Sequence, residues 1–251
     1  MSLVVDLNAD LGENAGHDEE LLALVTSANI ACGFHAGDAN SMRSSIEAAR
    51  AHNVAVGAHP SFFDRENFGR KELKLPVKEV SESVAYQIGI FQAIAEATST
   101  RVNHVKPHGA LYNMAARERR LADAIAEAIA KADEGLILFA PPNSALAEAG
   151  KARELQIAHE VFADRNYLGN GALVPRTRPD ALLHDPAEAA TRVIRMLREK
   201  KVRSVEDIDV DVRVETVCVH GDTPGAVEFA RLLRSRLEKE GITLRAPTRL
   251  R

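Results

Sequence analysis

Leu3-Val4-Val5-Asp6-Leu7-Asn8-Ala9-Asp10 alternates with period two. In an extended chain Leu3, Val5 and Leu7 fall on one face, and Val4, Asp6, Asn8 and Asp10 on the other. An antiparallel surface strand shows this pattern with its polar face in water. In a closed barrel the apolar face meets helices, while the polar face points into the barrel and its mouth. The stretches that follow decide between the two.

Residues 54–59 repeat the pattern, with Val54, Val56 and Ala58 on one face and Ala55, Gly57 and His59 on the other. In residues 102–108, His104 and Lys106 share a face, Val105 lies opposite, and Pro107 ends the ladder. Residues 27–30, 136–140, 157–165 and 215–220 read as further strands. Helical patterns fall at 18–26, 41–52, 77–97, 111–132, 185–200 and 221–239, with Asp185 as N-cap followed by Pro186. Residues 166–185 are punctuated by Gly and Pro and are read as holding a hairpin. About seven strands thus alternate with helices, without linker or low-complexity segment. This predicts one α/β domain over residues 1–251, most economically a (β/α) barrel. A doubly wound sheet is the alternative, but no Rossmann or P-loop glycine pattern supports it.

The chain has 251 residues, of which 45% are hydrophobic, enough for a large core. A formal net charge of -4 argues against a nucleic-acid partner. The two cysteines, Cys32 and Cys218, make no disulfide framework and fit a reducing compartment. No membrane-length apolar run and no secretory leader is visible, so a cytoplasmic protein is expected.

Apolar runs end in or near His35, His59, His104 with His108, and His220. Strand C-termini and their loops build the active site of an α/β barrel, so these histidines point to one site. Asp6, Asn8, Asp10 and Glu13 add a cluster of oxygens. Asp10, His35 and His59 are metal candidates, but no H-E-x-x-H or other tight ligand spacing is present, and no tightly bound cofactor is expected. The competing use is acid–base chemistry on a small polar substrate. Lys106, if buried, needs a partner such as Asp6 or Glu160. Arg65, Arg70, Arg165 and Arg176 lie in loops where they could clamp a carboxylate or phosphate. The 60–74 loop is long enough to suggest a functional or mobile segment. His220-Gly221-Asp222-Thr223 opens a helix, a natural anion site. Within residues 29–38, Cys32 is a candidate nucleophile that reads better as a small lining residue. His35 and Asp38 are the better candidates for chemistry.

Six stretches carry a family resemblance: residues 6–13, 29–38, 57–61, 105–113, 162–165 and 218–222. The third reads Gly57-Ala58-His59-Pro60-Ser61 and the fourth begins Val105-Lys106-Pro107-His108-Gly109. Together they resemble the family of bacterial 5-oxoprolinase A-subunits, also called LamB/YcsF, in order over nearly the whole chain. The chain departs from the family pattern at Phe63, Asn67, Lys71 and Asn170. The resemblance implies a distorted seven-stranded (β/α) TIM-like barrel of the glycoside hydrolase/deacetylase type. It implies a cyclic amidase that opens 5-oxo-L-proline to L-glutamate, using ATP with Mg2+ as co-substrate, together with partner subunits B and C. Under that chemistry a base drawn from Asp10, His35 and His59 activates water, and Lys106 or His108 stabilises charge at the carbonyl oxygen. The substrate contacts are then expected from Asp6, Asn8, Glu13, Asp38, Arg70 and Glu160, and from Asp164, Arg165, Arg176, His220 and Asp222. A metal-dependent amide or carbohydrate hydrolase acting alone and a non-catalytic barrel subunit remain the alternatives.

Overall fold

The computed structural model describes residues 3–220 and 225–250. The first half of the chain runs β1 (Val4–Leu11), α1 (Asp18–Leu22), β2 (Ser27–Ala31), α2 (Ala39–Ala51), β3 (Ala55–His59), α3 (Val77–Ala97), β4 (Val102–Val105), α4 (Gly109–Arg117) and α5 (Arg119–Ala132). The second half runs β5 (Ile137–Ala140), α6 (Ala145–Ala152), β6 (Gln156–Phe162), α7 (Pro186–Glu199), β7 (Lys201–Arg203), β8 (Asp209–Asp211), β9 (Thr216–Val219), α8 (Ala226–Lys239) and β10 (Thr243–Leu244).

Strands β1, β2, β3, β4, β5, β6 and β9 pair in that order, all parallel, and β9 returns to β1. This closes the seven-stranded (β/α) barrel that the alternation predicts and rules out the open, doubly wound sheet. Closure leaves the ring with no free edge. Strand β10 pairs with Val4 and Val5 at the start of β1, outside the ring, and β7 and β8 form a separate antiparallel pair.

The predicted strand phase holds. Leu7 and Ala9 are fully buried in the apolar layer shared with the helices. Asn8 reaches across the barrel instead, donating from Nδ2 to Glu160 Oε1 at 3.0 Å. Ile137, Phe139 and Ala158 form a small apolar cluster of their own, separate from that layer. His104 stacks on Phe139 with ring centroids 4.0 Å apart.

The interior is tight enough to dictate residue size. A Cβ on Gly57 would lie 2.2 Å from the His104 ring, so β3 passes β4 only because residue 57 has no side chain. The β3–β4 register shifts at the same point, between Val56 and Gly57.

Several elements differ from the expectation. The helix expected over 111–132 is two, because Glu118 is extended at φ −107 and ψ 99. Helix α1 ends before Thr26, whose hydroxyl is drawn to Asp6 Oδ1 at 2.6 Å. Helix α6, capped by Ser144 on the Ala147 amide, is an addition to the expected elements. The 166–185 segment holds isolated bridges, Arg165 with Leu182 and Tyr167 with Leu173, rather than a hairpin of strands. The start of the helix expected from 221 lies outside the described residues, and α8 begins at Ala226. Among the described residues no helix is long and apolar enough to cross a membrane.

Gly57→Ala is expected to lower stability by about 3 kcal/mol through overpacking against His104, measured as a lower urea midpoint at unchanged slope.

Candidate functional site

Exposure along β1 locates the mouth: Asp6 is 1% exposed, Asn8 0%, Asp10 6% and Glu13 8%. The chain therefore comes up from a sealed interior to the C-terminal end of the strands, where α/β barrels carry their sites.

At the bottom, Asp6 accepts hydrogen bonds from the hydroxyls of Thr26 at 2.6 Å, Ser27 at 2.7 Å and Thr216 at 2.5 Å. Burial nevertheless outweighs these bonds and pushes its carboxyl up to about 6. One level higher, Asn29 donates to Asn8 Oδ1 at 2.7 Å and to Asp10 Oδ1 at 2.8 Å. His104 Nε2–H donates to Asn29 Oδ1 at 2.8 Å, and burial, aided by the Lys106 charge, takes the His104 pKa down to about 3.

Lys106 is the centre of the upper layer. It is 2% exposed, and its Nζ lies 2.8 Å from Asp10 Oδ1, 3.0 Å from Glu160 Oε1 and 3.0 Å from Cys218 Sγ. Burial alone would lower the Lys106 pKa, but the carboxylates of Asp10 and Glu160 raise it well above its ordinary value. Burial alone would likewise raise Asp10, yet Lys106 and then His59 hold it well below the usual carboxylate range. Glu160 Oε2 accepts the Tyr112 hydroxyl at 2.6 Å. The partner foreseen for Lys106 is thus present in Glu160, with Asp10 rather than Asp6 as the second. Burial pushes the Cys218 thiol up as well, so a neutral sulfur faces the ammonium.

A second cluster sits beside the first. His59 Nε2 is 3.5 Å from Asp10 Oδ2 and 2.9 Å from His108 Nδ1. His35 stacks flat on His108, with centroids 3.9 Å apart and planes at 6°. Its Nε2 lies 3.0 Å from Glu13 Oε1. The 60–74 loop closes over these rings: the Phe68 ring packs at 85° to His35, and the Phe68 carbonyl accepts from His108 Nε2 at 2.9 Å. Gly69 (φ +64) permits this closure, since a Cβ there would meet Ser61 Oγ at 2.3 Å and His35 Cβ at 2.9 Å.

A third pair stands on the far side. His220 Nδ1–H donates to Asp164 Oδ2 at 2.8 Å, and the His220 ring stacks on Phe162. Burial would raise Asp164, but His220, Arg176 and Arg165 lower it. Asp10, Cys218 and His220 offer donor atoms all within 4.8 Å of one another, so this pair and Lys106 share one space.

The structure thus brings together Asp10, Glu13, His35, His59, Lys106, His108, Glu160, Asp164 and His220. Other candidates have different work. Asp38 is an exposed N-cap of α2, accepting from the Asn40 and Ser41 amides in a capping box, which explains an Asp there without a ligand. Arg65 ties the loop down through the Gly33 and Gly37 carbonyls. Arg165 is buried and donates to Val174 O at 2.6 Å and Ala181 O at 3.4 Å, clasping the 166–185 excursion. Arg70 is exposed and sits 4.9 Å over Phe68 at the lip of the site, while Arg176 is half-buried near Asp164. Asp222 lies outside the described residues. Cys32 is buried, with its thiol pushed up to about 12 by burial, in keeping with a lining role. Asn29, Thr216 and Tyr112 are site residues absent from the expected set. Tyr112 carried a signal, standing four residues after His108 on the first turns of α4.

Residues 5–251 match the LamB/YcsF family. The chain belongs to this family. Among solved structures, a lactam utilization protein from Thermus thermophilus superposes with a TM-score of 0.91 at 45% identity, over 98% of this chain and 100% of that one. A family 4 carbohydrate esterase from Streptomyces lividans, in complex with acetate, superposes with a TM-score of 0.48 at 10% identity, over 96% of this LamB/YcsF chain and 91% of that one.

Two outcomes test the site's electrostatics. Lys106→Met leaves Asp10 and Glu160 buried without their ammonium, and a loss of about 3–5 kcal/mol is expected in urea unfolding at neutral pH. Asp6 is the opposite case. Its folded pKa of about 6 lies above the ordinary 3.8, so the folded state binds the extra proton, and stability falls as pH rises from about 4 to 6. Between pH 4 and pH 7 wild type should lose about 2 kcal/mol relative to Asp6→Asn, read from paired urea titrations.

Proposed function

We propose that the chain is the A-subunit of a 5-oxoprolinase, opening the lactam of 5-oxo-L-proline to L-glutamate with ATP, and acting with subunits B and C in the cytoplasm. The observation that carries this reading is the 45%-identical relative described as a lactam utilization protein, matched end to end. The barrel mouth supplies fitting chemistry. A five-membered lactam is a poor electrophile, and transfer of a phosphoryl group to its oxygen gives a reactive imidate with ADP as leaving group. Water then adds to that carbon, the ring C–N bond breaks as the nitrogen takes a proton, and a second water releases phosphate.

Three groups divide this work. Lys106, held between Asp10 and Glu160, is a fixed positive charge for the carbonyl oxygen. Of its neighbours Cys218 is the weakest acceptor, so a substrate oxygen competes best on that side. His220, oriented through Nδ1–H by Asp164, takes the proton of the attacking water and returns it to the ring nitrogen. This moves the base from Asp10, whose lowered pKa makes it a poor proton acceptor, to His220. Arg70, exposed at the lip, meets the substrate carboxylate. ATP, with Mg2+, is assigned to the assembled complex, because the chain has no glycine-rich phosphate loop. A metal-dependent amide hydrolase acting alone is the second reading, favoured by the histidine cluster at Glu13.

Glutamate release from 5-oxoproline is the test, with and without ATP and subunits B and C. Release only from the complete mixture is expected, and no release from that mixture would sink the proposal. In it, His220→Gln should lower kcat by about 10²–10⁴-fold with an unchanged melting temperature. His52→Ala, on the outer face beside Glu19, should turn over as wild type.

A further inference from the structure

The hydrogen bonds around His59 and His108 leave an imbalance. His59 Nδ1 lies 2.6 Å from the Lys106 carbonyl, and His108 Nε2 lies 2.9 Å from the Phe68 carbonyl. A carbonyl only accepts, so each of those nitrogens carries the ring's hydrogen. In the neutral rings, the nitrogens left over are His59 Nε2 and His108 Nδ1. They face each other at 2.9 Å with two lone pairs and no hydrogen between them. Carboxylate oxygens surround them, with Glu13 Oε1 at 3.4 Å from His108 Nδ1 and 3.9 Å from His59 Nε2, and Asp10 Oδ2 at 3.5 Å from His59 Nε2. Two facing lone pairs inside an anionic cage call for a cation.

We infer that His59 Nε2, His108 Nδ1 and Glu13 Oε1 form a site for a divalent transition-metal ion of the zinc class, with one position left open toward the barrel mouth. The three donor separations of 2.9, 3.4 and 3.9 Å bracket the ~3.3 Å edge of a tetrahedron with zinc-length bonds. Two imidazoles and one carboxylate, with an open position, is a donor set that suits a catalytic zinc. The outer contacts fit as well. Both ligand rings donate their remaining N–H to a backbone carbonyl, which fixes ring and tautomer. His35 cannot join in the same way, because its plane is parallel to that of His108 and 3.9 Å from it. Its Nε2–H instead donates to Glu13 Oε1 at 3.0 Å and aims that carboxylate. The His35 Nδ1 is then left buried without a hydrogen-bond partner. The competing cation is a proton shared by the two rings. Both rings are buried, so a shared proton would place an imidazolium charge where little water reaches it. A bound ion would polarise a carbonyl or lower the pKa of a water at the open position.

The site is independent of the lactam reading, and metal uptake tests it directly. The full chain is stripped with chelator and titrated with Zn2+ alone, then with Co2+ alone. One equivalent of zinc per chain is expected, with a melting temperature that rises with zinc concentration. Cobalt should give the intense visible absorption of a low-coordinate nitrogen–oxygen site. His59→Gln and His108→Gln should each weaken zinc binding at least 100-fold, and His35→Gln by about 10–100-fold, as an outer contact does. His52→Gln should leave it unchanged. Wild-type uptake alone decides the matter should the variants fold poorly. A stripped wild-type chain that takes up neither metal, and whose NMR spectrum shows one deshielded proton held between two imidazoles, overturns the inference in favour of the proton. Zinc uptake without glutamate release overturns only the lactam reading, and glutamate release by a chain that takes up no metal overturns only this one.

Discussion

A single buried ammonium organises the interior of this barrel. Lys106 extends from the end of β4 and meets Asp10 from β1, Glu160 from β6 and Cys218 from β9. Each charge is expensive to bury alone, and each is tolerable only while the others stay in place. Strands that are not neighbours in the ring are thereby coupled through one atom, Nζ. The polar layer beneath follows from the same demand. Asn8, Asn29 and Thr216 hand hydrogen bonds from one strand to the next, so the groups that do not reach the ammonium still have partners.

The space for that layer comes from small residues. Gly57 makes room for His104, and His104 in turn stacks on Phe139 and holds Asn29, which supports Asp10. The mouth repeats the device. Gly69 and Gly109 approach so closely that a Cβ on Gly109 would stand 2.6 Å from the Gly69 carbonyl. That contact carries the 60–74 loop onto the His35 and His108 rings. The loop is therefore held in place at its inner edge, by Arg65 on the Gly33 and Gly37 carbonyls and by Ala110 N–H on Gly69 O, while Phe63 stands out in solvent.

Period two is the legible part of the sequence. A polar residue at every second position of β1 fits either a solvated face or a barrel interior, and the alternation of strands with helices selects the interior, where the same phase places Gly57, His59, His104 and Lys106. Phase says nothing about which polar group a side chain meets, and there the pattern stops informing. Asp38 has the look of a site residue because Asp serves equally as helix cap and as ligand, and only the Asn40 and Ser41 amides reveal which. Arg165 and Arg65 read as anion clamps in the sequence, but a guanidinium matches backbone carbonyls as well as carboxylates, and both are spent on carbonyls. The break at Glu118 has neither Gly nor Pro to announce it. The Glu13 cluster shows in the sequence only as polar residues at four separate strand ends, and no local spacing records which of their atoms converge.

Asp10 is where the two halves of the site meet. Its Oδ1 accepts from Lys106 and Asn29, while Oδ2 faces His59 at 3.5 Å. One carboxylate therefore serves a fixed ammonium on one side and a histidine cage on the other, and its charge is shared between them. The division has a chemical consequence. The Lys106 side is already neutralised by Asp10 and Glu160 and can stabilise charge only as it develops on a substrate oxygen. The cage side is rich in lone pairs and short of protons, and it can bind a positive charge at rest. A barrel mouth with these two unlike sides, and with the Asp164–His220 pair within reach of both Asp10 and Cys218, can polarise a carbonyl and move a proton in one space. Neither task then requires a large motion of the strands that carry them, because every group involved is anchored by a bond to a different strand or to the backbone of the loop above.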